Sequence, residues 1–128
     1  MNEQKNIVVF CCENSAYKAA QAVQDSDLLE SIDIVRLPCA GKIEIGLVLK
    51  CFEQEAAGVL ILACPIDNCQ YLTGNKRARK RVEMIKQALR NAGYDENRVK
   101  LDFLSSLDPH KFVKNVKEMK KNMKEVDK

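Results

Sequence analysis

The sequence predicts an α/β fold, a single three-layer domain in which a mostly parallel four-stranded sheet of order 2-1-3-4 is flanked by helices. Short apolar runs typical of strands alternate along the chain with segments of helical periodicity. The first and third runs are apolar throughout, as expected of strands covered on both faces. The alternating order of strands and helices, with short connections, then favours parallel pairing through right-handed crossovers.

Four segments rich in β-branched or aromatic residues are the predicted strands. They are Ile7 to Phe10, Ile32 to Leu37, Gly58 to Leu62 and Val99 to Leu104. Between and after them, apolar residues recur at the spacing of one helix face. These stripes are Ala16, Ala19, Ala20 and Val23; Ile45, Val48, Leu49 and Phe52; Ala78, Val82, Ile85 and Leu89; and Phe112, Val116, Met119 and Met123. Each stripe predicts one helix that packs on the sheet.

Three short signals mark the ends of the last two helices. Asn75 is the predicted N-cap of the third helix, and Gly93 is its predicted C-terminal stop. Asp108 followed by Pro109 predicts an N-cap and a proline in the first helical position of the fourth helix.

The composition is that of an ordinary soluble globular protein. Hydrophobic residues make up 46% and charged residues 30% of 128 residues, which fits one domain spanning residues 1–128 and disfavours disorder. No apolar run reaches the length of a membrane span or of a signal-peptide core, so the cytoplasm is the expected location. In that reducing compartment the six cysteines are expected to serve metal, cluster or thiol chemistry instead of disulfides.

The cysteines collect at one place in the predicted fold. Cys12 ends the first strand, Cys39 follows the second, and Cys64 and Cys69 lie in the loop after the third. Carboxyl ends of parallel strands meet at one edge of the sheet, where ligands of such folds bind. The four thiols are therefore predicted to form a single metal centre.

Zinc and iron–sulfur clusters both suit four thiolates, and the spacing of the cysteines does not decide between them. Structural zinc usually holds together domains that lack a sufficient core, which favours a redox cluster in a chain of this size. Cys51 and Cys11 fit the role of small buried hydrophobes. Cys11 nevertheless stays open as an additional ligand.

Two motifs give the sequence a family resemblance. Cys39 is followed by Ala-Gly-Lys, and a Cys-x4-Cys-x-Tyr motif from Cys64 to Tyr71 is followed by Gly74-Asn75, Ala78 and Arg81. This pattern resembles the delta subunit of methyl-viologen-reducing hydrogenase, the hydrogenase iron–sulfur subunit family.

The resemblance implies a 2Fe-2S cluster, for which the family's ligands carry over onto Cys12, Cys39, Cys64 and Cys69. It also implies a relay of electrons between a hydrogenase or other oxidoreductase and a heterodisulfide reductase A-like flavoprotein, without catalysis by this chain alone. The sequence departs from the family at Ser15, where many members have a cysteine, and at Gln70, where the family usually has histidine.

Two other functions are weaker interpretations. A strand followed by Cys12 and Asn14-Ser15 is similar to the phosphate loop of low-molecular-weight phosphatases and arsenate reductases, but Lys18 stands where their arginine clamps the oxyanion. The basic run from Lys76 to Arg81 could meet nucleic acid, yet no aromatic residue is interleaved for base stacking. A solvated helix face is the first interpretation of that run, and docking against an acidic protein surface is the second.

Overall fold

The computed structural model describes residues 6–13, 16–22, 32–37, 43–63, 74–105 and 107–126, without the side chains of 74–76 and 123–126. Four strands and four helices alternate along these residues, as predicted. The strands are β1 (Ile7–Cys12), β2 (Ile32–Leu37), β3 (Gly58–Ala63) and β4 (Val99–Phe103). The helices are α1 (Ala16–Gln21), α2 (Ile45–Glu53), α3 (Gly74–Asn91) and α4 (Pro109–Val126), with a short 3-10 turn over Glu96–Arg98.

All four strands are parallel, and their order across the sheet is β2-β1-β3-β4. The predicted order is therefore confirmed, and the sheet is entirely parallel where the sequence predicted a mostly parallel one. Because every strand runs the same way, all four carboxyl ends lie along one edge of the sheet. This edge, here called the carboxyl edge, also carries the start of each helix that follows a strand.

Two apolar cores lie on opposite faces of the sheet. The core on the α1 and α4 side includes Leu60 and Leu62 of β3, whereas the core on the α2 and α3 side includes Ile61 and Ala63. All six residues of β3 are buried, because successive side chains point to opposite faces and both faces are covered. Each large apolar side chain contributes about 1.5–3 kcal/mol on burial. The two cores confirm the three-layer prediction.

The helix-end signals hold in two of three places. Gly93 has a φ of +90°, and the amide of Tyr94 donates to the carbonyl of Leu89 at 2.9 Å, which is the hydrogen bond of a Schellman turn. The Asp108 carboxylate accepts from the amide of Lys111 at 3.1 Å and caps α4. The prediction of Asn75 as an N-cap is wrong, because α3 begins at Gly74 and Asn75 lies inside its first turn.

The two long helices are strongly basic. α3 has seven lysine or arginine residues and one glutamate in 18 residues, and α4 has six lysines and two glutamates in 18. Among the residues that the structure describes, no helix is long and apolar enough to span a membrane.

Candidate functional site

The carboxyl ends of β2, β1 and β3 stand side by side. Cys12 pairs with Leu37 in the register between β1 and β2, and Cys11 pairs with Leu62 in the register between β1 and β3. The amide of Glu13 donates to the carbonyl of Leu37 at 2.8 Å, so the contact between β1 and β2 continues beyond the last residue of β1. These strand ends form the frame of the candidate site.

One of the four predicted ligands, Cys12, lies within the described residues. It is the last residue of β1, and its side chain is only 2% exposed. Cys39, Cys64 and Cys69 lie outside the described residues. In the sequence, Cys39 is the second residue after the end of β2 and Cys64 directly follows β3. The full ligand set therefore stays a prediction.

Cys12 and Cys11 face opposite sides of the sheet, since side chains alternate along a strand. Cys11 is fully buried in the core on the α1 and α4 side. Phe10, and by alternation Cys12, face the α2 and α3 side. The two helices on that side are the ones that follow the segments containing Cys39 and Cys64. Cys12 thus faces the same layer to which those segments lead, and Cys11 faces away from it.

Burial also sets Cys11 apart chemically. It raises the pKa of the Cys11 thiol from 9.0 to about 12, with a smaller contribution from the neighbouring Cys12. A thiol must lose its proton to bind a metal or to act as a nucleophile. Without a bound metal, Cys11 is therefore a neutral core residue at physiological pH, and its role as an additional ligand stays a prediction.

Cys51 lies in a different part of the fold from Cys11 and Cys12. It lies in the second half of α2, away from the carboxyl edge, and packs partly buried against the core on the α2 and α3 side. Burial raises the pKa of its thiol. In the described part of the chain, no group of three or more His, Cys, Asp or Glu side chains could hold a metal ion. The described cysteines therefore do not form a second site.

An arginine that the sequence marked only as part of a basic run fixes the start of α2. The Arg81 guanidinium donates from Nη1 to the carbonyl oxygen of Ile43 at 2.9 Å. Ile43 is fully buried and is the first described residue after the segment that contains Cys39. No local pattern shows this bond, because 38 residues separate its partners.

Three other cations of the basic run at the start of α3 are exposed to solvent. Arg77, Arg79 and Lys80 are exposed, and the Arg79 guanidinium lies 5.4 Å from the centre of the Phe103 ring at the carboxyl end of β4. Met84, one helical turn beyond Lys80, is 56% exposed. Positive charges in the first turns of a helix are disfavoured by the helix dipole. Departures of this kind from local preference are expected at functional surfaces.

Three relatives cover most of the chain. The iron-sulfur protein of the F420-non-reducing hydrogenase vhu of Methanocaldococcus jannaschii is 36% identical over 115 residues, which cover 88% of this chain and 86% of that protein. Its counterpart in Methanopyrus kandleri is 34% identical over 128 residues, covering 98% of this chain and 97% of the relative. The A-type component of the ferredoxin/F420H2-dependent CoB-CoM heterodisulfide reductase of Methanosarcina acetivorans is 28% identical over 122 residues, covering 94% of this chain but 15% of that longer protein.

A family comparison agrees with these relatives. The family model described as methyl-viologen-reducing hydrogenase, delta subunit, matches residues 7–127. This match spans all four strands and all four helices, and it includes every cysteine of the predicted ligand set. The chain therefore belongs to the methyl-viologen-reducing hydrogenase delta subunit family.

Proposed function

We propose that this protein is an electron-transfer component that holds a 2Fe-2S cluster on Cys12, Cys39, Cys64 and Cys69. It relays electrons between a hydrogenase, or another oxidoreductase, and a heterodisulfide reductase A-like flavoprotein. The chain acts as one domain over residues 1–128 in the cytoplasm, where thiols stay reduced. It is part of an oxidoreductase complex and has no catalytic centre of its own.

One observation carries the cluster proposal. The carboxyl ends of β1, β2 and β3 are adjacent in a parallel sheet, and a cysteine occurs at or within two residues of each end. Four thiols are the donor set that a 2Fe-2S cluster requires, so the residues fit the group. The relatives from M. jannaschii and M. kandleri are named as iron-sulfur proteins of a hydrogenase, which supports the same chemistry.

The residues of this chain define what the site supplies. When bound, a 2Fe-2S cluster accepts and releases one electron. The burial of Cys12 excludes water from one ligand, and low solvent exposure is one of the factors that set the reduction potential of such a centre. The two apolar cores hold β1 and β3 rigidly on both faces. A rigid frame allows electron transfer with little change in geometry.

A structural zinc ion would use the same four thiols. The described residues bury two extensive apolar cores, so the fold has no need of a zinc staple. The family membership and the names of the relatives also favour iron. Zinc is therefore an outcome for the experiment to exclude, and no observation favours the phosphatase alternative.

The relationship to heterodisulfide reductases supports the choice of partner. In the M. acetivorans protein, a segment similar to 94% of this chain forms part of a much longer polypeptide. A second such protein, the A-type component of the ferredoxin:CoB-CoM heterodisulfide reductase of Methanosarcina mazei, has the same relation to this chain. Covalent linkage keeps two domains at high effective concentration. We infer that a separate chain of this family docks noncovalently onto an equivalent flavoprotein.

The start of α3 is the proposed docking surface. Arg77 and Lys80 are exposed there beside the exposed Met84, which gives an apolar centre with a cationic border. The surface lies next to the carboxyl edge, since α3 follows the segment that contains Cys64 and Cys69. An acidic surface on the flavoprotein would be attracted to it over several ångströms and aligned with the cluster.

Charge reversal tests the docking surface. We expect Arg77→Glu combined with Lys80→Glu to weaken binding of the flavoprotein about tenfold or more, because like charges would then face each other. Iron content should stay unchanged. Lys117→Glu is the control, since Lys117 is exposed on α4 in the opposite layer. Equal binding by the double variant and the wild type, measured by calorimetry at low salt, would exclude this surface.

The cluster itself is tested by analysis of protein purified without oxygen. Iron, acid-labile sulfide and zinc are measured together with the absorption and electron paramagnetic resonance spectra. Two irons and two sulfides per chain, lost in each single Cys→Ser variant of the four ligands, are the expected result. Stoichiometric zinc, or a fully folded protein with neither metal nor sulfide, would overturn the proposal.

A further inference from the structure

We propose that Arg81 is a positioning residue that couples the two cysteine-bearing segments of the site. It stands on α3, which follows the segment with Cys64 and Cys69, and it binds the residue that closes the segment with Cys39. The inference rests on the proposed function, because its consequence is a cluster held in one geometry.

The bond from Arg81 meets a carbonyl that α2 does not use. The first carbonyl in the hydrogen-bond ladder of α2 is that of Glu44, which accepts from the amides of Leu47 and Val48 at 3.1 and 3.2 Å. The carbonyl of Ile43 lies one residue earlier and accepts from the guanidinium instead. The bond is partly buried, and bonds to a charged donor are roughly twice as strong as neutral ones.

The segment that carries Cys39 is therefore held at both ends. At its start, the carbonyl of Leu37 accepts from the amide of Glu13, directly after Cys12. At its end, the carbonyl of Ile43 accepts from Arg81. The two described residues that flank Cys39 in the sequence are thus each bonded to another element. The first bond ties Leu37 to the end of β1, where Cys12 lies. The second ties Ile43 to α3, which follows the segment with Cys64 and Cys69.

The neighbouring cations of α3 do not share this role. Arg77 and Lys80 are exposed, and Arg79 lies over the ring of Phe103. Arg81 is partly buried beside Val82, a residue of the apolar stripe that packs on the sheet. The basic run thus contains cations for docking and one arginine that organises the site. Lysine has a single ammonium group and cannot reproduce the planar geometry of the guanidinium.

The experiment compares Arg81→Met and Arg81→Lys with two controls in the full-length chain, purified without oxygen. Lys86→Met removes a partly exposed cation from the same helix, outside the proposed docking surface. Val82→Ala lowers stability through a cavity beside Arg81 without touching the bond. The cluster is followed by iron and sulfide content, the rate of cluster loss to a chelator, the electron paramagnetic resonance spectrum and the midpoint potential. The backbone is followed by amide hydrogen exchange over residues 38–44 in both holo- and apo-protein.

We expect Arg81→Met to lose its cluster to the chelator about tenfold faster or more, a size typical of residues that orient metal ligands. Its spectrum and potential should shift, and exchange over residues 38–44 should accelerate even in apo-protein. Arg81→Lys should restore part of each property, and both controls should resemble the wild type in spectrum and potential.

Two results would overturn the inference. The first is an Arg81→Met protein with wild-type spectrum, potential and exchange. The second is a Val82→Ala protein that reproduces the same shifts, which would reduce Arg81 to a general contribution to stability. A wild-type protein without iron and sulfide would instead overturn the proposed function, while the exchange of apo-protein would still test the bond from Arg81. If Arg81→Met does not fold, Arg81→Lys carries the same comparison.

Discussion

At the carboxyl edge of the sheet, long-range hydrogen bonds hold the residues that flank the cysteine-bearing segments. At the opposite edge the ends of α2 and α3 are closed by local turns, although long-range bonds such as that from Arg98 to the carbonyl of Ala57 also occur there. The carbonyl of Leu37 accepts from Glu13, that of Ala63 accepts from the amide of Leu104 at 2.7 Å, and that of Ile43 accepts from Arg81. Each of these bonds fixes a chain segment relative to another element.

At the opposite edge, α2 and α3 both end in a turn with a residue in the left-handed region. Glu55 has a φ of 69°, and the amide of Ala56 donates to the carbonyl of Cys51 at 3.0 Å. Gly93 holds the equivalent position after α3. These turns are made by residues within five positions of each other. Changes there should alter stability alone, while changes at the carboxyl edge should alter the site.

The largest expected effect is a difference in bound iron between two cysteine variants, one at the carboxyl edge and one in the second half of α2. Cys12→Ser should reduce bound iron at least about tenfold, since loss of a direct ligand should cost no less than the 10–100-fold typical of an orienting residue. Cys51→Ser, in the second half of α2, should keep the cluster. Iron and sulfide analysis of protein prepared without oxygen provides the measurement. Comparable iron loss in both variants would break the distinction.

A smaller effect concerns Cys11, which lies in the core next to the site. Its pKa is about 12 in the folded protein and 9.0 when unperturbed, chiefly because of burial. The neutral thiol stabilises the fold fully below pH 9. That contribution is lost between pH 9 and 12, since the unfolded chain releases the proton first. The loss amounts to a few kcal/mol, at about 1.4 kcal/mol for each pKa unit.

Denaturant unfolding of apo-protein under reducing conditions measures this effect. Cys11→Ala is the matched control, because other groups also titrate in this range and only the difference between the two proteins reports Cys11. A wild-type protein whose stability falls no faster than that of Cys11→Ala would contradict the prediction.

The smallest effect belongs to the local turns. Gly93→Ala should lower the free energy of unfolding by about 1 kcal/mol, because alanine is strained in the left-handed region while its Cβ would meet no atom within 4 Å. Glu55→Gly should raise it by about 0.5–1 kcal/mol, since the strain relieved exceeds the entropy that glycine adds to the unfolded chain. Thermal or denaturant unfolding checks both signs. Altered iron content in either variant would show that this edge also affects the site.

The sequence alone determined the architecture, the strand boundaries to within two residues, and two of the three helix ends that it marked. Apolar runs and helical stripes are local properties, and alternation of strands with helices permits few arrangements other than a parallel three-layer fold. Every predicted strand end lies within two residues of the structure. The Gly93 and Asp108 signals were reliable because they act within one turn. Asn75 lies one residue inside the start of α3, a difference no larger than the one or two residues by which helix ends vary between definitions.

The tertiary structure decided which cysteine belongs to which environment. Cys11 and Cys12 are adjacent and chemically identical in the sequence, yet strand alternation and the two helix layers give them opposite surroundings. The bond from Arg81 to Ile43 likewise has no local signature. The physical reason is that burial and long-range hydrogen bonds depend on which elements pack together. A pattern within one segment contains no information about the partner supplied by another.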